Sequence, residues 1–481
     1  MFGPENVRRR WKVDEITVTK PDVIKRAIGA AAIGNVTEWY DFGVYGYLAT
    51  TMEKVFFPNL SGVIGGVLTA GLFAVAFLIR PFGGMFFGPL SDRIGRNKVL
   101  AVTMIMMALG TFCIGLVPSY NSIGLVAPFL LLACRLVQGF STGGEYGNAM
   151  TFIAEYAPDR RRGFLGSLLE VGTFTGYLLG AGVSTVIAAV LTEHQLLTWG
   201  WRLPFFVALP LGLVGVYLRA KLADTPAYLQ LEKESEEREK QNRKESNQES
   251  GGEISKIFKL WPNMLACIGL VLAWNVTNYM LTAYMPTFFS DIQRVQGTGG
   301  VSDVTSEVLQ IVVMAVCLIL IPVIGKLSDR FGRKIIVRLG SIALIVLAVP
   351  SLLLIRAESV SAILAGLLIM GLSLICFSAT MPSTLPSLFP TAIRAGALSI
   401  AFNISVSLFG GTTSTVMKAL VGATDNLMWP AFYLMAAGVI GIIAIHKVPE
   451  SNGKALWGST PAAASREEAR DIVRELESAA A

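Results

Sequence analysis

Charge is scarce in this 481-residue chain: Asp, Glu, Lys and Arg make up 15% of it, against about 25% in a soluble domain. Histidine is scarcer still. His194 and His446 are the only two, one in an outer loop and one at the end of an apolar run, so no histidine proton relay is supported. The five cysteines, Cys113, Cys134, Cys267, Cys317 and Cys376, all fall within apolar runs. None lies in an outer loop and none has zinc spacing, which excludes a disulfide framework and leaves small buried apolar side chains. A phosphate-cradling loop for ATP hydrolysis is missing, as is any paired metal-ligand motif. The longest basic runs, Arg160 to Arg162 and the equally short Arg8 to Arg10, are too short for a nucleic-acid face.

What the chain has is apolar length. Hydrophobic residues make up 53% and the mean hydropathy is +0.57. Runs of about 20 apolar residues, enough to cross a bilayer, recur along the sequence. Twelve are centred near residues 38, 75, 108, 136, 178, 210, 275, 317, 345, 373, 408 and 437. The first follows a polar stretch of about 25 residues and contains acids, unlike the short uncharged core of a cleaved signal peptide. It reads as a retained span behind a cytosolic tail. With both termini inside, the inner segments carry 33 Lys and Arg and the outer loops three, Lys54, Arg294 and Arg356. That asymmetry fits the positive-inside rule, so the net charge of +6 reports topology. The basic N-tail suits anionic lipid headgroups.

The segment containing "LEKESEEREKQNRKESNQESGGE" is dense in Glu, Lys, Gln and Ser and reads as a solvated linker. It splits the spans six and six. The expected organisation is an N-tail (1–24), a six-helix bundle (25–220), a linker (221–259), a second six-helix bundle (260–447) and a C-tail (448–481). The halves repeat. "GPLSDRIGRNK" (88–98) follows the second span and "GKLSDRFGRK" (325–334) the eighth, with a fainter echo between "APDRRRGFLGS" (157–167) and "FPTAIRAGALS" (389–399). Internal repeats of this kind are the sequence trace of transporter folds. The fold class is therefore all-α integral membrane.

The doubled Gly-x-Leu-Ser-Asp-Arg-x-Gly-Arg loop resembles the signature of the major facilitator superfamily, and the resemblance covers about residues 25–450. "GNVTEWYDFGVYGY", "RPFGGMFFGPLSDRIGR", "RLVQGFSTGGEYG" and "AEYAPDRRRGF" are similar to the metabolite:proton symporter family. "TFCIGLVPSY", "NVTNYMLTAYMP", "STLPSLFPTAIR" and "AFNISVSLFG" are similar to its bacterial osmoprotectant members. The resemblance implies twelve spans in two bundles, alternating access in the cell (inner) membrane, and import of a small zwitterion (proline, glycine betaine or ectoine-like) with protons under osmotic control. No enzyme and no cofactor are implied, since the proton gradient drives the cycle. Relatives with similar loops carry dicarboxylates, tricarboxylates or shikimate, and an anionic substrate stays open as the alternative. A membrane osmosensor without transport is disfavoured, because neither linker nor tail is large enough for an output domain.

Several charges lie where lipid would not tolerate them, at about 2.5–3.5 kcal/mol each on insertion scales. Glu38, Asp41 and Tyr45 share one helix face at i, i+3 and i+7. Arg135, Gln138, Thr142 and Glu145 form a polar stripe on span four, and Arg80 and Glu170 complete the set. Carboxylates with nearby arginines suit a proton relay, because the contact can change as the protein rocks. Asp41 with Arg135 is the first choice of pair, and the resemblance to proton-driven sugar transporters implies the same. Glu145 with Arg80 is the second. For a zwitterion, aromatic faces and buried polar groups are candidates: Trp39, Tyr45, Gln138, Tyr146, Trp274, Asn275, Asn278, Tyr279 and Asn403. The doubled loop reads as a cytoplasmic gate, with Asp92, Arg93, Gly95 and Arg96 in one copy and Asp329, Arg330, Gly332 and Arg333 in the other. Glu155 and Arg162 are expected to join it. In the C-tail, Ala469, Ile472, Val473 and Leu476 line one helix face for only about two heptads, short of a stable coiled coil. A free, frayed helix is expected there, and a monomer or weak dimer.

Overall fold

A computed structural model describes residues 11–19, 21–58, 71–72, 75–220, 257, 259–297 and 303–480. The 221–259 linker lies outside the described residues apart from Ile257 and Lys259. The chain is helical almost throughout. Span one is Pro21–Tyr47, and span two is described as a continuous helix over Arg80–Ile94. Spans three to six are Arg96–Leu116, Val126–Tyr156, Arg162–Val190 and Leu203–Ala220. Spans seven to ten are Trp261–Tyr279, Asp303–Phe331, Arg333–Ile355 and Val360–Ser378. Span eleven begins as Arg394–Ser405 and span twelve is Trp429–Lys447. Among the described residues, ten helical stretches are long and apolar enough to cross a membrane, with span eleven counted over Thr391–Thr424. Span one carries Glu38 and Asp41, which need the rest of the bundle to shield them, and only the Arg80–Ile94 part of span two is described as a continuous helix.

The spans form two bundles. In the first half, span one lies along span five and also meets spans four and six, and spans two and three pack on span four. The second half repeats the plan, with span seven against spans eleven and twelve and span nine against ten and twelve. The halves meet along two seams, span five on span eight and span two on span eleven.

Glycine sets how closely the spans approach. Gly172, Gly176 and Gly180 recur every fourth residue on span five, so they lie on one face. A Cβ at these positions would run into the Ala32, Val36 and Tyr40 carbonyls of span one in turn. With lipid on the outside, such packing takes the place of hydrophobic burial as the force joining helices. At the doubled loop, Gly95 and Gly332 adopt φ of 105° and 99° with ψ of 145° and 143°, a backbone shape open only to glycine. The repeat seen in the sequence is therefore a repeat of backbone geometry.

Two helices of the second half widen by a π-turn. Met280–Tyr284 interrupts span seven, and Val406–Gly410 interrupts span eleven before it resumes at Thr413–Thr424. Such single turns concentrate at functional sites.

The tails correct the expectation of a free helix. Thr17–Val18 (β1) and Ala462–Ala463 (β2) form a two-stranded parallel pair. The C-tail helix, Arg466–Ala480, lays its apolar face (Ala469, Ile472, Val473 and Leu476) on Val13 and Ile16 of the chain's own N-tail. The short apolar stripe is stabilised by this contact, which the sequence of the tail alone does not reveal.

Candidate substrate and proton-coupling site

The acids of span one meet two different arginines. Asp41 Oδ2 lies 3.2 Å from Arg135 Nη1. That guanidinium donates to Gln138 Oε1 (2.9 Å), and Gln138 Nε2 donates to Thr111 Oγ1 (2.7 Å). Tyr45 lays its ring under Arg135, 3.4 Å from the guanidinium carbon. Asp41 and Arg135 are 2% and 0% exposed, and all their named partners come from spans one, three and four. The pair is thus enclosed within the first half. Tyr45 and Gln138, expected to touch substrate, are placed here against Arg135.

Arg80 is the second case. Its Nη2 lies 3.7 Å from Glu38 Oε1, and its guanidinium stacks between the rings of Phe42 and Phe77, at 4.8 and 4.7 Å. The sequence paired Arg80 with Glu145; the structure places Glu38 within 3.7 Å of Arg80 and buries Glu145 on span four. The Phe42 and Phe77 rings were not anticipated, because two phenylalanines in apolar helices carry no distinguishing sequence signal.

Glu170 has a third environment. Tyr146 donates its hydroxyl to Glu170 Oε1, and Thr173 donates to the same oxygen at 3.1 Å. Asn35 Nδ2 continues the chain to Thr173 Oγ1 at 2.5 Å. Asn35 and Thr173 went unnoticed in the sequence, although an amide within an apolar run is a usable signal. Tyr146 also stacks on Phe402 of span eleven at 4.9 Å, and Trp274 of span seven flanks both rings at 6.0 and 6.1 Å. Tyr146 and Trp274 therefore face each other across the seam.

The other candidates divide. Tyr279 meets Phe77 edge-on at 5.5 Å, so it reaches the surroundings of Arg80. Asn403 donates to Gly143 O of span four at 2.6 Å, bridging the halves. Asn275 turns back on its own helix, donating to Val271 O at 3.0 Å. Asn278 is half-buried, as is Trp39, whose ring lies 5.7 Å from that of Phe42.

At the face that carries the doubled loop, the halves cap each other's helices. Asp92 accepts from the Gly396 and Ala395 N–H groups (2.8 and 3.3 Å) at the start of span eleven. Asp329 accepts from Gly163 and Phe164 N–H (2.7 Å each) at the start of span five. A carboxylate at a helix N-terminus satisfies orphan donors and complements the helix dipole. Arg96 lies 3.1 Å from Asp92 and 3.3 Å from Glu155. Glu155 also binds Arg394 of the second half at 2.7 Å. Arg333 pairs with Asp329 at 3.5 Å, Arg162 pairs with Asp159, and Arg93 and Arg330 are exposed. Arg394 was missed as a site residue, although the echo between "APDRRRG" and "FPTAIRAG" marks it as the counterpart of Arg162.

This arrangement is two bundles with buried ion pairs in one of them and a charged latch across a single face. Residues 27–460 match the model of the sugar (and other) transporter family. The chain belongs to that family. The proline/betaine transporter of Escherichia coli (strain K12) is 47% identical over 461 residues, covering 96% of this chain and 90% of that protein. The glycine betaine/proline/ectoine/pipecolic acid transporter OusA of Dickeya dadantii (strain 3937) is 47% identical over 471 residues, covering 97% and 92%. Among solved structures, the major facilitator proton:xylose symporter XylE bound to a bromodeoxyglucose superposes with a TM-score of 0.73. It is 20% identical, over 94% of this chain and 99% of that one. The inward-open conformation of the E. coli xylose transporter gives 0.57, over 93% and 99%. The fold is that of the major facilitator superfamily, the chain is a multi-pass membrane protein, and a family of transporters rather than enzymes contains it.

Proposed function

We propose that this chain imports a zwitterionic compatible solute (proline, glycine betaine or an ectoine-like compound) together with protons across the cell (inner) membrane, with both termini in the cytosol. The substrate class follows the activities that name relatives 47% identical over nearly the whole chain. The coupling rests on one observation, the Asp41–Arg135 contact of 3.2 Å enclosed in the first bundle. The guanidinium offsets part of the cost of desolvating an ionised carboxylate there. When the carboxylate takes a proton the attraction weakens, and the surrounding helices are free to settle into the other arrangement. Tyr45 and Gln138 position Arg135 for that exchange. Glu145 and Glu170 are further carboxyls of the same bundle along which a proton can pass. Substrate sits at the seam, among Tyr146, Trp274, Asn275, Asn278, Tyr279, Asn403 and Trp39. The loop-bearing face is the cytosolic gate, a reading supported by the Arg96–Glu155–Arg394 bridge and the two cross-caps that join the halves there. Rocking of the halves about the central site then exposes it alternately. Osmotic regulation belongs to this reading, since a compatible solute is accumulated against external osmolyte.

The test is uptake of labelled glycine betaine into proteoliposomes under an imposed pH gradient, with proline, ectoine and citrate as competitors. Betaine accumulation blocked by proline or ectoine supports the reading. Accumulation blocked only by citrate would assign an anionic substrate instead.

A further inference from the structure

Arg80 and Arg135 are both buried, yet their surroundings differ in kind. Arg135 donates through Nη1 to Asp41 and Gln138 inside the first half and lies on the face of Tyr45, although its Nε and Nη2 also find no acceptor among the described residues. Arg80 has Glu38 Oε1 at 3.7 Å, well beyond the ~2.7–2.9 Å of a charge-assisted hydrogen bond. Its Nε and Nη2 find no hydrogen-bond acceptor among the described residues, although the side chain is only 2% exposed. Orphaned charged donors are costly in a buried site, so a ligand that accepts from them is bound with a large gain. Trp39 Nε1 is a second buried donor without an acceptor among the described residues, on the residue next to Glu38.

The place is also where the second half reaches in. Both of its π-turns converge on Phe77, whose ring covers Arg80. Ser407, in the π-turn of span eleven, donates to Phe77 O at 2.5 Å. Tyr279, at the edge of the π-turn of span seven, meets the Phe77 ring at 5.5 Å. A group bound at Arg80 is therefore sensed by spans one, two, seven and eleven together.

We propose that the zwitterion is received by parting the Glu38–Arg80 pair. The solute carboxylate takes the free N–H groups of Arg80, with Trp39 Nε1 as a further donor, and the solute ammonium turns to Glu38 between the rings of Phe42, Phe77 and Tyr279. This rests on the transport reading above and gives each ion pair its own role, with solute binding at Glu38–Arg80 and proton handling at Asp41–Arg135. The exchange replaces one internal ion pair by two to the ligand and leaves the site's net charge unchanged. A lone anion would face the Glu38 carboxylate, and a lone cation would face Arg80, so the pair rejects both.

The experiment measures binding to the purified full chain, by calorimetry, for wild type, Arg80→Gln and Glu38→Gln. Three probes are used: glycine betaine, choline (which keeps the trimethylammonium and lacks the carboxylate) and 3,3-dimethylbutyrate (which keeps the carboxylate beside a neutral tert-butyl group). Wild type binds betaine at least about tenfold tighter than either analogue. Arg80→Gln ranks choline above betaine, and Glu38→Gln ranks dimethylbutyrate above betaine. A variant that keeps the wild-type ranking overturns the proposal, and if Arg80→Gln does not fold, Glu38→Gln decides alone. Wild type that binds none of the probes but accumulates another solute defeats the substrate reading itself, a different outcome from an unchanged ranking.

Discussion

Asp41 and Arg135 illustrate how much one residue's environment decides. Removing one member of a buried pair strands the other charge and costs about 3–5 kcal/mol. Arg135→Gln is therefore expected to lower the thermal midpoint sharply, and the double variant Asp41→Asn with Arg135→Gln to recover much of the loss, as measured by thermal unfolding in detergent. A double variant no more stable than Arg135→Gln would mean that the pair is not the coupled unit. At this scale the sequence was informative about which charges are buried, because an acid or arginine inside an apolar run stands out. It was less informative about partners. Helix periodicity placed Glu38 and Asp41 on one face, and Asp41 was paired with Arg135, but no arginine was assigned to Glu38, since that depends on how spans one and two cross. Tyr45 and Gln138 show the same limit: their polarity marked them, while their contacts with Arg135 turned them toward the interior of the first half.

Between helices, small residues and helix ends carry the argument. Gly176 lies against the Val36 carbonyl of span one, whereas nothing stands within 4 Å of a Cβ at Gly182 on the same helix. Gly176→Leu is expected to abolish folded, monodisperse protein and Gly182→Leu to leave it intact, checked by size-exclusion chromatography. Overpacking typically costs about 1–3 kcal/mol, and more where the obstacle is backbone. The four-residue glycine spacing in "GTFTGYLLG" was readable in the sequence, but its partner helix was not. The π-turns were not readable at all, because widening by one residue leaves no fixed residue pattern. The cross-caps of Asp92 and Asp329 were half legible: the repeat announced paired gate residues, and only the docked halves show that each aspartate caps a helix of the other half. Glu155, shared by Arg96 and Arg394, holds those halves together most directly. In a background without the native cysteines, Ser167→Cys on span five beside Gly325 of span eight reports opening of the seam. Adding Glu155→Gln is expected to raise its thiol-labelling rate severalfold, and an unchanged rate would remove Glu155 from the gate.

For the whole molecule, two bundles of six followed from composition, run length and the internal repeat, since a bilayer admits few alternatives. The tails did not follow, because their order comes from contacts between the two ends of the chain. The C-tail leaves the second half at Glu450, whose carboxylate accepts from Arg333 and Lys334 N–H, and Trp457 O accepts from Arg394. It then reaches the first half: Arg162 donates to Lys454 O, Ala462 N–H donates to Asp159, and Arg160 pairs with Glu475 at 2.6 Å. The tail thus straps both halves at the face proposed as the gate. Ile472→Asp, which breaks the tail's apolar contact without touching a span, is expected to raise the Ser167→Cys labelling rate, and Arg474→Ala on its exposed side to leave it unchanged. The central claim is that solute accumulation depends on a carboxyl group in the first bundle that takes and releases a proton. It is tested most directly by comparing wild type with Asp41→Asn in proteoliposomes, measuring betaine accumulation under a pH gradient and betaine exchange without one. The account expects Asp41→Asn to exchange betaine at a rate near that of wild type while accumulating none. Concentrative uptake by Asp41→Asn, or wild-type accumulation that ignores the gradient, would contradict it.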